Sequence, residues 1–431
     1  MGQAALLRSR RFAPFFWTQF LGAFNDNAFK NALVILFAFG GAESGLAPDV
    51  LVNLAGGLFV LPFFLCSAIA GQLADKYEKA RIIRAVKLFE IAIMGLGAIG
   101  FALRSVGILL VALFLMGTHS ALFGPVKFSI LPQHLRDEEL MEGNALVEMG
   151  TFVAILLGTV MGGLVVTIDG GGPGAAAALT IGLAVVGYVV SRGVPRAPAD
   201  DPRLHIRWNP AVETRRLVGY ARRTRSVWHA VIGISWFWFY GALVLAQFPR
   251  LGRDVLGGDE AVVTLLLTLF SIGVGLGCVA CGRLAGGVID LRLAALGAAG
   301  LTCFAVDLAW AVAAAGGTEP LDVHAFLASA RHWRVGLDLA LLGASGGFFI
   351  VPLLAFVQHR SDPRRRARII AANNVVSAFF MVVAAGAGVA LVANGVGLPQ
   401  IFVLTAVVNA LVAFGLLASA RRAVAGSRTG S

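Results

Sequence analysis

Apolar positions along the chain fall into runs of about 20 to 27 residues, each closed by a short polar stretch, and the rhythm continues from one end to the other. Runs of that length match helices crossing a hydrocarbon layer of about 30 Å, whereas barrel strands would need only about 10 residues and would alternate in polarity. Twelve runs lie near 12–39, 50–72, 84–103, 106–131, 143–168, 173–192, 227–248, 261–282, 293–316, 335–357, 369–393 and 399–420. They predict an all-α polytopic membrane protein with twelve transmembrane helices, because backbone in lipid has to satisfy its own hydrogen bonds.

The longest polar stretch, 193–226, divides the runs six and six. It predicts an N-terminal bundle over 1–192, a linker over 193–226 and a C-terminal bundle with a short tail over 227–431. The halves echo each other. Trp17 and Trp228 open corresponding runs, GQLA at 71–74 matches GRLA at 282–285, and GPVKFSILPQHL followed by Asn144 resembles IVPLLAFVQHR followed by Asn373. Two six-helix halves related by duplication are the plan of the major facilitator transporters, in which substrate binds near the bilayer midplane. The loop GQLADKYEKARIIR resembles a motif of that superfamily. Gly71, Leu73, Ala74, Asp75, Lys76 and Lys79 fit it, while Glu78 stands where glycine is usual and Ala80 where a basic residue is common. Gly71 would let two helices approach closely, and Asp75, with Lys76 and Lys79, would either pair with helix ends to bias which side is closed or form a charged loop that only sets topology.

Composition agrees with a membrane protein: 58% of residues are hydrophobic, 14% are charged and the mean hydropathy is +0.81. The net charge of +11 raises nucleic acid as a partner, but 27 of the 35 lysines and arginines fall in segments on the side of the N-terminus and only 5 opposite. That asymmetry predicts both termini in the cytoplasm and contact with anionic membrane lipids, and argues against nucleic acid. The N-terminal stretch is basic, but the apolar run after it is too long for a signal-peptide core and no small-residue cleavage site follows, so it is read as retained. Cys66, Cys278, Cys281 and Cys303 all fall in predicted spans. The CVAC spacing at 278–281 has no histidine nearby and reads as packing, so no metal or cofactor is expected.

Charges inside the spans are the candidate chemistry. In FFWTQFLGAFNDNAFKNAL (15–33), Gln19, Gly22, Ala23, Asp26 and Lys30 share one stripe of a helix, with Phe16, Phe20, Leu21 and Phe24 over much of the rest. A charge at mid-bilayer costs about 2.5–3.5 kcal/mol on insertion scales, so such a stripe faces the bundle interior. Either Asp26 and Lys30 neutralise each other one turn apart, or they serve a polar substrate. Lys127 lies between Pro125 and Pro132, where a broken helix lines a cavity or an interface, and Asn144 and Glu148 stand one turn apart on the fifth span. Lys87, Glu90, Asp307, Asn373, Asn374 and Asn409 read as interhelical polar contacts. The seven histidines lie mostly in loops or at span ends. Neither an HExxH nor a phosphate-binding loop is present, so an enzyme is not expected.

Taken together, FNDNAFK, GPVKFSIL and GNALVEMGTFVAILLG resemble the bacterial lysophospholipid transporters of the major facilitator superfamily. The resemblance is closer still to the transporter module of proteins that fuse it to a phospholipid acyltransferase and an acyl–acyl carrier protein synthetase. It runs through FWFYGALVLAQFPRL and GGFFIVPLLAFVQHR and implies inward flipping of lysophospholipids, chiefly lysophosphatidylethanolamine, across the bacterial inner membrane for reacylation by such an acyltransferase/synthetase partner. It places Asp26, Lys127 and Glu148 at the family's intramembrane charged positions. Stand-alone members carry a basic residue in the seventh span, where this chain has Leu245, Ala246 and Gln247 and no cation until Arg250. Gln247 is therefore the substrate-site candidate there. The fused portions have no counterpart in these 431 residues. Two rival expectations are a proton-coupled exporter of amphiphilic solutes that titrates Asp26 or Glu148, and an inert membrane scaffold for an acyltransferase.

Overall fold

A computed structural model describes residues 2–39, 47–315 and 321–428. Twelve long helices account for most of them: α1 (Ala13–Phe39), α2 (Pro48–Lys76), α3 (Lys79–Ala102), α4 (Val106–Ser129), α5 (Leu140–Val166), α6 (Gly172–Ser191), α7 (Arg225–Leu245), α8 (Glu260–Leu284), α9 (Leu291–Ala315), α10 (Ala330–Arg360), α11 (Arg366–Ala393) and α12 (Leu398–Arg428). Each expected span meets one of these helices. Residue 316 of the ninth span and the last three residues of the tail lie outside the described residues. Among the described residues, ten helices are long and apolar enough to cross a membrane. The two long helices outside that set are α1 and α3, which carry Asp26 with Lys30 and Lys87 with Glu90.

Boundaries moved where local chemistry intervenes. Helix α3 starts five residues before the apolar run, because the Glu78 side chain accepts hydrogen bonds from the Ala80 and Arg81 amides and caps the first turn. Helix α4 passes through Pro125 and ends at Ser129, and a separate turn, Leu131–His134, follows with Pro132 in its first turn. Pro132 thus marks the break and Pro125 does not. The polar stretch 193–226 contains a helix of its own, Pro210–Arg223, with Leu217 and Ala221 buried and Arg215, Arg222 and Arg223 exposed.

The chain forms two compact units. The first comprises residues 1–137, 153–220 and 361–375, and the second 138–152, 221–360 and 376–431. In the first, Phe29, Leu33 and Phe37 of α1 meet Ile93, Met94 and Phe101 of α3, Leu113 and Met116 of α4 and Ala184 of α6. Apolar burial drives little between helices already in lipid, so contact depends on close backbone approach. Gly158 and Gly162 of α5 serve this purpose, since a Cβ at either would overlap the backbone of α1 around Phe24 and Ala28. In the second unit, Gly273 and Gly277 of α8 face Ala340 and Ala344 of α10, while Gly343 and Gly347 of α10 return the contact to Phe270, Val274 and Cys278. Cys278 and Cys281 are buried in this seam as free thiols, in keeping with their reading as packing residues.

Candidate functional site

A group of ionisable side chains is buried inside the first unit. Midway along α1, the Asp26 carboxylate accepts a hydrogen bond from the Ser120 hydroxyl of α4, and its Oδ1 lies 3.8 Å from His119 Nδ1. On the far side of the imidazole, His119 Nε2 is 3.2 Å from Glu90 Oε2 of α3. Glu90 forms an ion pair with Lys87 one turn before it and accepts from Asn25 Nδ2 at 2.7 Å. Space for the Lys87 stem comes from Gly187 of α6, where a Cβ would stand 2.7 Å from Lys87 Cε, and from Gly22 of α1. Side-chain exposure is 0% for Glu90, 1% for Lys87 and 3% for His119, but 15% for Asp26. The chain of charges therefore runs from a sealed interior to one reachable carboxylate.

Lys30 takes a different direction from Asp26. Its Nζ donates to Asn27 Oδ1 at 3.1 Å and lies 5.4 Å from the centre of the Phe59 ring on α2. The partners of Asp26 come from α4, so the one-turn pair considered for the two residues is not the arrangement adopted. Gln19, on the same stripe, is buried. Lys127 is half-buried with its ammonium over the Phe128 ring at 5.0 Å. These four candidates belong to the first unit and Asn144, Glu148 and Gln247 to the second.

In that second unit, Asn144 and Gln358 exchange side-chain amide hydrogen bonds at 2.9 and 2.7 Å, both buried. Asn144 is thus held by a partner 214 residues away. Glu148 is buried one turn further on, and Gln247 is buried with Nε2 directed at the Leu243 carbonyl at 3.5 Å. Trp236 donates through Nε1 to Asn409 Oδ1 at 2.9 Å, and Asn409 donates in turn to the Ala298 carbonyl. Asn409 has the interhelical role expected of it, and Trp236 is engaged in the same contact.

The loop between α2 and α3 meets the start of α11. Asp75, fully buried, accepts from the Ala367 amide at 3.0 Å, the Arg368 amide at 3.4 Å and Arg368 Nε at 2.7 Å. Its carboxylate caps the first turn of α11, where unpaired amides and the helix dipole favour negative charge. A Cβ on Gly71 would meet Ala371, Arg368 and the Ala367 carbonyl, so the glycine permits this approach. Lys76 lies over the Tyr77 ring. Lys79 instead holds the connecting segment, through an ion pair to Asp200 at 2.7 Å. That segment is also bound by Gln133 to Asp200, by Gln72 to both backbone groups of Arg207, and by Glu78 to the Ala197 amide at 2.9 Å.

Glu78, the departure from the motif, thus caps α3 and fastens the connecting segment. Glu78→Ala is expected to lower stability by about 0.5–2 kcal/mol, the usual range for a lost cap. Amide exchange at Ala197 should accelerate with it. Exchange that stays at the wild-type rate would assign the fastening to Lys79 and Gln72 instead.

His119 is the residue that sequence reasoning passed over. Its signal was its position, near the middle of a 24-residue apolar helix and beside a serine. Among the described residues no group of three or more His, Cys, Asp or Glu side chains is placed to hold a metal ion.

Comparison with known proteins adds a family. The profile of the Major Facilitator Superfamily matches residues 15–385. The Lysophospholipid transporter LplT of Serratia proteamaculans is 28% identical over 358 residues, which is 82% of this chain and 81% of the relative. That of Klebsiella pneumoniae subsp. pneumoniae is 28% identical over 401 residues, 89% of this chain and 91% of the relative. Among solved structures, the human organic anion transporter MFSD10 superposes with a TM-score of 0.73 at 14% identity, covering 94% of this chain and 99% of its own. The E. coli fucose:proton symporter FucP gives 0.71 at 13% identity, over 95% and 98%. At such identities the likeness concerns the fold alone.

Proposed function

The chain belongs to the Major Facilitator Superfamily, and from that premise we propose that it carries lysophospholipids, chiefly lysophosphatidylethanolamine, across the bacterial inner membrane by alternating access. The observation that carries this reading is Asp26: a carboxylate midway along α1, the reachable end of an otherwise sealed group of charges. The named function of the curated relatives, matched over most of their length, supports the choice of substrate.

The physics of the substrate fits. Drawing a sixteen-carbon tail through water would cost on the order of 13 kcal/mol at about 0.8 kcal/mol per methylene, so the tail stays in lipid or an apolar groove and only the headgroup needs a polar path. Asp26 receives the ammonium and Lys127 the phosphate in charge-assisted bonds. Gln19 and Lys30 extend the polar stripe within the first unit, and Asn144, Glu148 and Gln247 are the polar positions proposed for substrate within the second. Contact of Asp75 and Gly71 with the start of α11 is the element that breaks and reforms in each cycle, with Lys76 beside it. Both termini lie in the cytoplasm on the charge asymmetry, where an acyltransferase/acyl-ACP synthetase would consume the product.

Proteoliposomes given labelled lysophosphatidylethanolamine are expected to move it between leaflets faster than empty vesicles of the same lipid. Movement at the empty-vesicle rate, together with uptake of an amphiphilic cation, would replace this reading with that of a solute exporter.

A further inference from the structure

Between Arg203 and Arg225 the sequence holds seven arginines and one acid, Glu213. The helix inside this stretch, Pro210–Arg223, is capped by the Asn209 side chain, which accepts from the Val212 amide at 3.2 Å. Glu213, Leu217 and Ala221 are buried along one stripe of it. There Glu213 pairs with Arg216 at 3.6 Å, and the neighbouring Tyr220 ring lies 5.0 Å from the Arg365 guanidinium and 5.8 Å from that of Arg368. The opposite stripe starts at Trp208, just before the helix, and continues through Val212, Arg215, Gly219 and Arg222. It is exposed at every position, with Arg216 and Arg223 exposed beside it. Each end of the helix adjoins the end of a membrane span. Before it, both backbone groups of Arg207 are bonded to the Gln72 side chain, one turn from the end of α2. After it, Arg223 is two residues from the start of α7, and Arg222 lies over the Trp228 ring at 4.8 Å.

We propose that this outer face of the linker helix is a docking surface for the anionic phospholipid headgroups of the leaflet beside it. The charge asymmetry of the chain predicts contact with anionic lipid on one side of the membrane, and the structure supplies a particular surface for it. A row of arginines whose single acid is turned inward is complementary to a layer of phosphates. Trp208 favours lipid over an acidic protein or a nucleic acid as the occupant. Its indole is 69% exposed and Val212 beside it 48%. An apolar body with one polar N–H, set among arginines, suits the headgroup layer, where the ring meets acyl chains and the guanidinium groups meet phosphate. The surface does not depend on which lipid the chain transports, because none of its residues belongs to the proposed headgroup site.

The test places the full chain in nanodiscs of phosphatidylethanolamine that contain either phosphatidylglycerol or phosphatidylcholine, brominated to the same extent in the acyl chains. Subtracting the emission of Trp208→Phe from that of the wild type isolates one of the seven tryptophans. Bromine quenching of that component should be severalfold stronger with phosphatidylglycerol. It should weaken when ionic strength rises from about 0.05 to about 0.5 M, which shortens the Debye length about threefold. In the double variant Arg215→Gln with Arg223→Gln, which changes exposed residues only, the preference for phosphatidylglycerol should disappear. The lipid comparison on the wild-type helix stands even if that double variant proves unstable. Equal quenching by the two lipids would reduce Trp208 to an aromatic anchor without headgroup recognition and overturn the proposal. So would an absence of quenching by either lipid with free access of aqueous iodide to Trp208, which would turn the face to water and to an acidic soluble partner.

Discussion

Asp26→Asn should reduce binding of lysophosphatidylethanolamine by about ten- to a hundredfold, the effect of losing a hydrogen bond to a charged group of about 1.5–3 kcal/mol. Asparagine has nearly the shape of aspartate and keeps an oxygen able to accept from Ser120, so the local packing is preserved. What disappears is the charge. Nothing at that position then favours an incoming ammonium over water. Stability should hold, because the change keeps the hydrogen bond from Ser120 and removes only a partly exposed charge. Flipping assayed in proteoliposomes, with thermal unfolding of the same preparation as control, reads both quantities. Wild-type flipping by a folded Asp26→Asn protein would take the headgroup site away from α1.

The fold was legible because lipid leaves the backbone so few choices. An apolar run of sufficient length has to be a helix, and all twelve runs are. Boundaries depended on side chains that periodicity does not weigh: Glu78 extends α3 toward the loop, and Pro132, rather than Pro125, separates α4 from the turn after it. The site was legible only in part. The polar stripe of α1 could be read from the 3.6-residue repeat, whereas Lys87 and Glu90, expected as interhelical contacts, pair with each other within α3. Which stripe meets which depends on how the helices rotate about their axes, and no local pattern encodes that. Asn144 found Gln358 across 214 residues, and His119 took its place between Asp26 and Glu90 through the packing of α1, α3 and α4. Lys30 shows the opposite case. Its spacing from Asp26 suggested a pair, yet Asn27 and Phe59 hold it.

Lys87 and Glu90 allow the charge balance of the cluster to be separated from its stability. Removing one member of a buried ion pair leaves the other uncompensated, at a cost of about 3–5 kcal/mol, whereas replacing both with apolar residues of similar volume is often neutral. Glu90→Gln and Lys87→Met should therefore each lower the thermal midpoint strongly. The double variant Lys87→Met with Glu90→Leu should recover most of the loss, short of about 1–3 kcal/mol for the Asn25 amide left without its acceptor. Transport should follow a different rule, that of net charge. Glu90→Gln removes one negative charge, leaves Lys87 without its partner beside the site, and should weaken loading of the ammonium. The double variant loses one charge of each sign, keeps the Asp26 carboxyl, and should still flip lysophosphatidylethanolamine. A double variant as stable as expected but inactive would show that the Lys87–Glu90 pair itself, and not the charge it leaves on Asp26, serves the substrate.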